Sequence, residues 1–409
     1  MGAVGLWASR DYRAWFASDT ASVVGASLQT LAVSLVAYAV SGSVVASGWV
    51  STVMLVTQQV AAVAGGALVD RHDRRTLMVM NALVGAVLWG VAAVLLATGS
   101  LTLLSLGVVC VAFALSKGLL GGSTGAELRS IIDIRDYPRA RSMAEGRDAT
   151  ATMAGSPLGG ALYAICPWAP FVVSAALFCV SGLSALRLRP TADAPRPTHA
   201  SPLARDIADG WHWAASRRVL PRIIAVASLL NLGVNVALYG IQLELVATGA
   251  DPTLIGLVDT GQCACMLLGS VVAGRASARL HVGRVVCVST ALVALCVAPL
   301  ALLDGFPATL AFASLMGLPT PFMNALGLGF VYAKTPEGLQ GRAASAVTVS
   351  AQALSMFAPA VAGGLLAAVG FHALAGIAAG IVACALVVAV SSAELRGIPE
   401  PAGWDGVEL

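Results

Sequence analysis

The chain has 409 residues, of which 58% are hydrophobic and only 11% are charged, and its mean hydropathy is +0.84. Soluble domains carry about 25% charged residues, so this chain has too few charges to cover a water-facing surface. The formal net charge of +3 is too small to indicate a nucleic-acid partner. Composition therefore predicts an integral membrane protein and excludes a soluble globular domain.

Apolar stretches long enough to cross a bilayer, about 20 residues each, recur along the chain. The fifth is the least apolar, because Glu145, Arg147 and Asp148 lie in its first turns. The first has no cleavage-site pattern, so we expect it to be retained as a spanning helix. In chain order, the twelve predicted spans are 14–40, 44–69, 76–98, 101–126, 143–165, 168–187, 220–247, 253–275, 284–303, 307–331, 343–369 and 371–392.

Basic residues mark one side of this topology. With the N-terminus inside, both tails and the even-numbered loops, together with the span ends that border these loops, carry every one of the 24 Lys and Arg residues except Lys117, which lies deep within span 4. Cytoplasmic loops are enriched in Lys and Arg, so both termini are expected in the cytoplasm. Lys117 and Lys334 are the only lysines, a bias typical of a GC-rich genome, and we expect a multi-pass protein of a bacterial plasma (inner) membrane.

The longest segment that cannot span a membrane divides the chain. It begins with the Pro-rich run LRPTADAPRPTHASP and continues as LARDIADGWHWAASRR, which predicts an amphipathic helix on the inner surface, anchored by Trp211 and Trp213. The predicted domains are an N-terminal six-helix bundle (1–187), this cytoplasmic linker (188–219), a C-terminal six-helix bundle (220–393) and a cytoplasmic tail (394–409).

Two motifs occur once in each half, at nearly the same offset. The run from Gly66 to Arg75 after span 2 has a counterpart from Gly274 to Arg284 after span 8. Span 5 carries Pro157, Gly159 and Gly160, and span 11 carries Pro359, Gly363 and Gly364, which we expect to act in helix hinges or packing. Duplicated halves of this kind are a common transporter design.

The loop between spans 2 and 3 reads Gly66-x-x-x-Asp70-Arg71-x-x-Arg74-Arg75 and resembles the loop signature of the major facilitator superfamily. The segments SRDYRAWFASDTASVVG, DIADGWHWAASRRVLPR and PEGLQGRAAS are similar to its drug:proton antiporter branch, which includes macrolide and siderophore exporters. Asp73 departs from the signature's usual Gly, and Pro157 stands one place away from its position in the antiporter element of span 5.

The resemblance implies an all-α membrane protein with twelve transmembrane helices in two six-helix bundles related by pseudo-two-fold symmetry. In that fold helices 1, 2, 4, 5, 7, 8, 10 and 11 line a central cavity. It also implies a conformational latch in which Asp70 caps the N-terminus of helix 11 and pairs with loop arginines, a placement that is favourable by about 0.3–1 kcal/mol. The residues of this latch would be Gly66, Asp70, Arg71, Arg74 and Arg75, and a simple positive-inside anchor is the alternative.

Charges inside spans are costly and usually face a cavity or a partner. Lys117 is too deep to reach the interface, so it must find an acid, and Asp19 is a plausible partner; Glu127 is a further charge near the inner end of span 4. A partly buried carboxylate can also take up and release protons during transport. The candidates for proton coupling are Asp19, Glu145, Asp148 and Asp259, and a static ion pair is the alternative for each.

A polar stripe runs along one face of span 7, where Asn231, Asn235, Tyr239 and Gln242 recur at helical spacing. Amides facing lipid would be costly, so the stripe faces protein or water. Substrate contact and interhelical hydrogen bonding are equally open. Gln262 on span 8 and Gln29 on span 1 are further candidates for the substrate cavity.

These features predict a secondary active transporter, specifically a proton-coupled exporter of a small amphipathic drug, siderophore or natural product by alternating access. The expected partners are a small-molecule substrate and the lipid bilayer, with no cofactor beyond the proton gradient, no metal, and a monomeric state. The alternatives are an importer or lipid-handling carrier of the same fold, and a transporter-like sensor or assembly subunit. The sequence lacks a Walker A loop and metal-ligand spacing, so we expect no enzyme.

Overall fold

The structure is a computed structural model that describes residues 6–133, 136–189, 216–217, 219–276, 280–335, 347 and 349–406. Over these ranges the regular structure is helical, with no strand. The predicted amphipathic helix of the linker lies outside the described residues, as do the first residues of the predicted eleventh span. The described chain forms two compact units, Met1–His199 with Gly249–Leu257, and Ala200–Thr248 with Val258–Leu409.

Unit 1 contains seven helices in the described part of the chain. They are α1 (Arg10–Ser41), α2 (Val44–Arg71), α3 (Arg74–Ala97), α4 (Leu103–Leu120), α5 (Gly122–Ile131), α6 (Tyr137–Ile165) and α7 (Ala169–Ala185). Helices α4 and α5 together form one apolar stretch, Leu103–Ile131, which corresponds to the fourth predicted span.

Local sequence explains the sharp turn between α1 and α2. Ser9 caps α1 by accepting a hydrogen bond from the backbone N–H of Tyr12. The helix ends at Gly42, whose φ of 64° is the left-handed conformation that favours glycine, and Gly42 donates to the carbonyl of Tyr38. Ser43 then caps α2 through the N–H of Ala46. Two turn residues are therefore enough to reverse the chain.

The core of unit 1 is an aromatic cluster that joins α3, α4 and α7. Trp89 is fully buried and stacks on Phe171, with ring centroids 5.5 Å apart, while Phe113 meets it edge-on at 5.0 Å. A Cβ on Gly85 would lie 2.8 Å from the ring of Phe178. The glycine thus lets α3 approach α7 closely enough to bury these rings.

The helices of unit 2 are more often interrupted than those of unit 1. Within the described residues they are α8 (Leu220–Ala247), α9 (Pro252–Ala276), which begins in the part of the chain assigned to unit 1, α10 (Val282–Val297), α11 (Phe306–Leu315), α12 (Thr320–Met323), α13 (Gly329–Lys334), α14 (Ala358–Ser391) and α15 (Ala393–Arg396). Helix α8 packs on α14 through glycines, because a Cβ on Gly240 would lie 2.5 Å from the Leu374 side chain.

Breaks in the helices of unit 2 have identifiable causes. The predicted tenth span is interrupted between Leu315 and Thr320, where Pro319 lies just before α12 and Pro321 lies in its first turn. It continues through a π-helix, Asn324–Leu328. The long helix α14 bends at Gly370, whose φ is 77° and ψ 174°, so it is two helices that meet at this residue. Pro359 lies in the first turn of α14 after a short 3₁₀ turn, which is a position that proline tolerates.

Nine helices in the described ranges are long and apolar enough to cross a membrane, and one of them, Val349–Ser391, divides at Gly370. Helix α7 is apolar but shorter, and α6 carries charged residues in its first half. With the two segments of the divided helix, α6 and α7 bring the number to the twelve predicted spans. The expected fold class, an all-α membrane protein with two six-helix bundles, is confirmed.

Candidate functional site

A charged cluster lies inside unit 1, where α1 and α6 pack together. The Arg147 guanidinium donates through Nε and Nη2 to Oδ1 of Asp148, at 3.0 and 2.7 Å, and its Nη2 also bonds to Oδ2 of Asp19. Its Nη1 donates to the Thr20 hydroxyl at 3.2 Å, and its Cζ lies 5.1 Å from the centroid of the Phe16 ring. One arginine of α6 is therefore held by carboxylates of both helices and by an aromatic ring of α1.

Burial differs among the three charged groups. The side chain of Arg147 is 10% exposed and that of Asp19 is 16% exposed, whereas Asp148 is 45% exposed. The link between α1 and α6 is thus the protected part of the cluster, and Asp148 is its accessible edge. Buried ion pairs fix helices in place because breaking one leaves a charge without compensation.

Lys117 of α4 completes the set of charges. It is half-buried, and the acid whose charge acts on it is Asp148. We call Asp19, Lys117, Arg147 and Asp148 the charge cluster. The acid that pairs with Arg147 is Asp19, and the structure gives no ion pair of Asp19 with Lys117 among the described residues. With all four groups ionised, the charge cluster is neutral.

Two other predicted acids of unit 1 differ in burial. Glu145 is 63% exposed and pairs with Arg141 one turn away on α6, at 3.0 Å. Such exposed pairs contribute little to stability. Glu127 of α5 is completely buried. We leave Glu145 out of the candidate site, since solvent and its own helix satisfy its carboxylate.

The signature loop between α2 and α3 is tied down by its arginines. Arg74 Nη1 donates to the carbonyl of Ala126 at 3.1 Å, and Arg75 Nη2 donates to the carbonyl of Leu186, the C-cap of α7, at 2.6 Å. Asp73, in the place usually held by Gly, caps α3 by accepting from the N–H of Thr76 at 2.9 Å. Both arginines therefore satisfy backbone carbonyls of unit 1.

The other latch residues are placed as follows. Asp70 lies in the last turn of α2, but its side chain and the start of the predicted helix 11 are outside the described residues. Arg71 is exposed, and so is Gly66, which has open space around it. The packed glycine is its neighbour Gly65, where a Cβ would lie 2.5 Å from the carbonyl oxygen of Gly118. The close approach of α2 to α4 thus depends on a residue next to the signature.

In unit 2 the polar stripe of α8 is half-buried along its length. The amide nitrogens of Asn231 and Asn235 donate to carbonyls of their own helix, those of Ala227 and Asn231, at 2.9 and 2.8 Å. Asp259 of α9 is close enough to act electrostatically on Tyr239. Gln242 and Gln262 are also half-buried. The common lining of α8 and α9 by polar groups stays a prediction.

The remaining predicted residues belong to helix contacts. Gln29 is only 3% exposed and accepts a hydrogen bond from Ser174 of α7 at 3.4 Å, so we also leave it out of the candidate site. Gly159 of α6 lies against the backbone of Leu28, and Gly160 against that of Pro252. Pro157 lies within α6, against Gly256. Gly363 is buried in α14, and Gly364 has open space around it.

Arg147 is the functional candidate that sequence reasoning missed. It was grouped with the basic residues of the cytoplasmic loops, although it stands beside Asp148 within a predicted span. An adjacent acid and base inside an otherwise apolar helix is the signal that could have singled it out. Its partner Asp19 is 128 residues away in sequence, so the pairing itself needed the structure.

Apolar spanning helices in two units, with a charge cluster buried among them, define a multi-pass membrane protein of the transporter class. The sequence profile described as Major Facilitator Superfamily matches residues 19–247 and 223–405. The chain belongs to this superfamily, whose members are transporters and, in general, not enzymes. The resemblance to its drug:proton antiporter branch stays a prediction.

Solved structures share the fold at low sequence identity. The nucleoside transporter NupG is 14% identical with a TM-score of 0.67, over 94% of this chain and 98% of that chain. A bacterial homologue of the iron transporter ferroportin, in an inward-facing state, is 16% identical with a TM-score of 0.69, over 94% and 99%. A bacterial metal transporter is 15% identical with a TM-score of 0.66, over 92% and 97%. No curated protein matches the sequence significantly.

Proposed function

We propose that this transporter exports a small amphipathic molecule, such as a drug, a siderophore or a natural product, in exchange for protons by alternating access. The observation that supports the proposal is the charge cluster, in which the buried bond between Asp19 and Arg147 joins α1 to α6. No cofactor beyond the proton gradient is needed, and a single chain carries the whole cluster.

Proton coupling follows from the charge balance. When Asp19 takes up a proton, its attraction to Arg147 is lost, and the charge cluster changes from neutral to positive. An excess charge among buried groups is costly, so the helices that carry it have reason to separate. Protonation and movement of α1 against α6 are then linked, which is the requirement for a two-state carrier.

The path of the proton is supported by the exposure of Asp148. At 45% exposure its carboxylate meets solvent, and it shares the Arg147 guanidinium with the buried Asp19. A proton that binds to Asp148 weakens the hydrogen bonds between Asp148 and Arg147. The N–H donors of Arg147 that are freed can then bond to Asp19. We assign Asp19 the coupling role and Asp148 the entry role. Asp259, near Tyr239 in unit 2, is a second candidate for coupling.

Export as the direction rests on the resemblance to the drug:proton antiporter branch. The arginine-rich helix ends are proposed to face the cytoplasm of a bacterial inner membrane, with both termini on that side. Asp70, in the last turn of α2, is proposed as the latch of the closed inner side. Half-buried polar groups of α8 and α9, among them Asn235 and Gln262, are proposed to contact substrate.

The test uses everted membrane vesicles that carry the wild type, Asp19→Asn, or Glu145→Gln as the matched control. An acid interior is generated by respiration, and proton leak is followed by the fluorescence of a pH-sensitive dye while ethidium, a macrolide or a hydroxamate siderophore is added. Export predicts that a transported compound enters the vesicles and releases protons in the wild type and the control, and that an uncoupler abolishes its entry. Accumulation in intact cells instead would indicate an importer, and the absence of counterflow would indicate a sensor.

A further inference from the structure

Unit 2 has a groove that the proposed transport function does not use. It has a volume of about 340 Å³ and lies between the first turns of α10 and the break that follows α11. Ligand sites typically have about 300–1,000 Å³, so the space is large enough for part of a small molecule or a lipid chain. Its lining residues are Leu280, His281, Arg284, Val285, Val288, Ser289, Leu292, Leu318, Pro319 and Phe322.

One wall of the groove is a single face of α10. Arg284, Val288 and Leu292 recur at a spacing of four residues, so they lie in one stripe along the helix, and His281 is the N-cap residue just before it. Val288 is 58% exposed and Leu292 is 43% exposed, so protein does not cover the apolar part of this stripe. The stripe changes from basic to apolar within about 12 Å along the helix axis.

The opposite wall comes from the interrupted helix. Leu318 and Pro319 lie between α11 and α12, where the chain leaves regular helix, and Phe322 lies on the short helix that follows. The side chains of these three residues are hydrocarbon, so this wall presents mainly apolar atoms to the groove. An occupant would therefore contact the break in the tenth span directly.

The charge at the mouth of the groove is positive. Arg284 is exposed and has no ion-pair partner among the described residues. His281 is closer to an acid, with its Nδ1 3.8 Å from the Glu400 carboxylate, so Arg284 carries most of the attraction for an anion. None of the lining residues is acidic. A basic mouth above an apolar groove is complementary to an anionic headgroup with a hydrocarbon chain.

We propose that this groove binds an anionic phospholipid of the surrounding bilayer, with the phosphate at Arg284 and one acyl chain along Val288 and Leu292. The basic end of α10 is the end that we place at the cytoplasmic surface, where anionic headgroups lie. The lipid braces the broken helix from its membrane side. The proposal does not depend on which substrate the transporter carries.

The experiment is native mass spectrometry of the full chain, released from a neutral detergent after titration with phosphatidylglycerol or phosphatidylcholine. The wild type is expected to bind phosphatidylglycerol more tightly. Arg284→Gln should weaken that binding by about fivefold, one arginine's share near an anionic surface, and bring it close to the value for phosphatidylcholine. The matched control is Arg275→Gln, an exposed arginine at the end of α9 that bonds to its own helix and should bind like the wild type.

The apolar half of the site is tested separately. Val288→Trp fills the groove and should weaken both lipids together, because it excludes the chain and leaves the headgroup contact intact. If that variant does not fold, Leu292→Gln places a polar group in the groove without added bulk and should have the same direction of effect. Glycerol 3-phosphate, which has the anion without chains, should not displace phosphatidylglycerol.

Three results would overturn the proposal: equal affinity for the two lipids, equal losses in the Arg284 and Arg275 variants, or displacement by glycerol 3-phosphate. The last would mean that a free anion, not a lipid, binds at Arg284. Since the readout is lipid binding to the purified chain, its failure leaves the proposed transport function untouched.

Discussion

Removing the charge of Asp19 should show how strongly the charge cluster holds α1 against α6. The perturbation is a double-mutant cycle made of Asp19→Asn, Arg147→Gln and the two together. Asn has the size of Asp, and Gln keeps a hydrogen-bonding amide on a shorter chain than Arg, so each substitution removes the charge and leaves a polar group in its place. The cycle isolates the interaction between the two side chains from the other contacts that each one makes.

The expected losses of unfolding free energy depend on which charged side chains keep a partner in each variant. In Asp19→Asn, Arg147 keeps its two bonds to Asp148, so the loss is that of one charge-assisted hydrogen bond, about 1.5–3 kcal/mol of unfolding free energy. In Arg147→Gln, two carboxylates lose their shared cation, and Asp19 is 16% exposed, so we expect about 3–5 kcal/mol. The double variant should lose less than the sum, with a coupling energy of about 1–3 kcal/mol.

The assay is reversible unfolding of the purified protein in mixed micelles, followed by tryptophan fluorescence as the denaturing detergent is increased. The control cycle uses Arg141 and Glu145, an exposed pair on α6 whose side chains are 52% and 63% exposed. Exposed helical pairs are worth about 0.3–0.5 kcal/mol. A coupling energy for Asp19 and Arg147 no larger than that of the control pair would refute the claim that their bond holds the two helices.

Three further predictions concern packing, backbone conformation and pH. Gly65→Ala should destabilise unit 1 by about 1–3 kcal/mol, since its Cβ would lie 2.5 Å from a backbone carbonyl of α4, whereas Gly66→Ala, in open space, should be neutral in the same unfolding assay. Gly370→Ala should cost about 1–2 kcal/mol because its φ is 77°, and a neutral result would contradict the bend in α14. A hydrogen bond from the backbone N–H of Glu394 itself, and next the charge of Arg222 at 2.9 Å, hold the pKa of the Glu394 carboxyl below the usual 4.5. Protection of the C-terminal segment from hydrogen exchange should therefore be complete above pH 4.5 and fall as the pH drops through the lowered pKa. Glu394→Gln should not show this loss.

The spans could be predicted because the signal for them is local. Runs of apolar residues and the placement of arginines need no knowledge of which helix packs on which, and the twelve predicted spans correspond to helices of the structure. The break at Gly370 was placed between two predicted spans, since a glycine there is a visible stop. Pro319 and Pro321 in the tenth span are local signals of the same kind, because proline lacks the backbone N–H that a helix needs.

The candidate site was less predictable because its pairings are long-range. Asp19 was identified as an unusual acid, but its partner Arg147 looked like one more loop arginine. Gln29 was placed in the cavity because it is polar, whereas burial and a hydrogen bond from Ser174 assign it to helix packing. Gly66 stands out in the motif, yet its neighbour Gly65 makes the close contact. In each case the deciding contact is on another helix.

The charge cluster leads to one direct test of proton coupling. Wild type and Asp19→Asn are reconstituted in proteoliposomes, and a compound found to be transported is followed in two modes, counterflow without a proton gradient and accumulation driven by a pH gradient. If Asp19 couples transport to protons, the variant keeps counterflow and loses pH-driven accumulation. Retention of full pH-driven accumulation by Asp19→Asn would contradict the proposed mechanism.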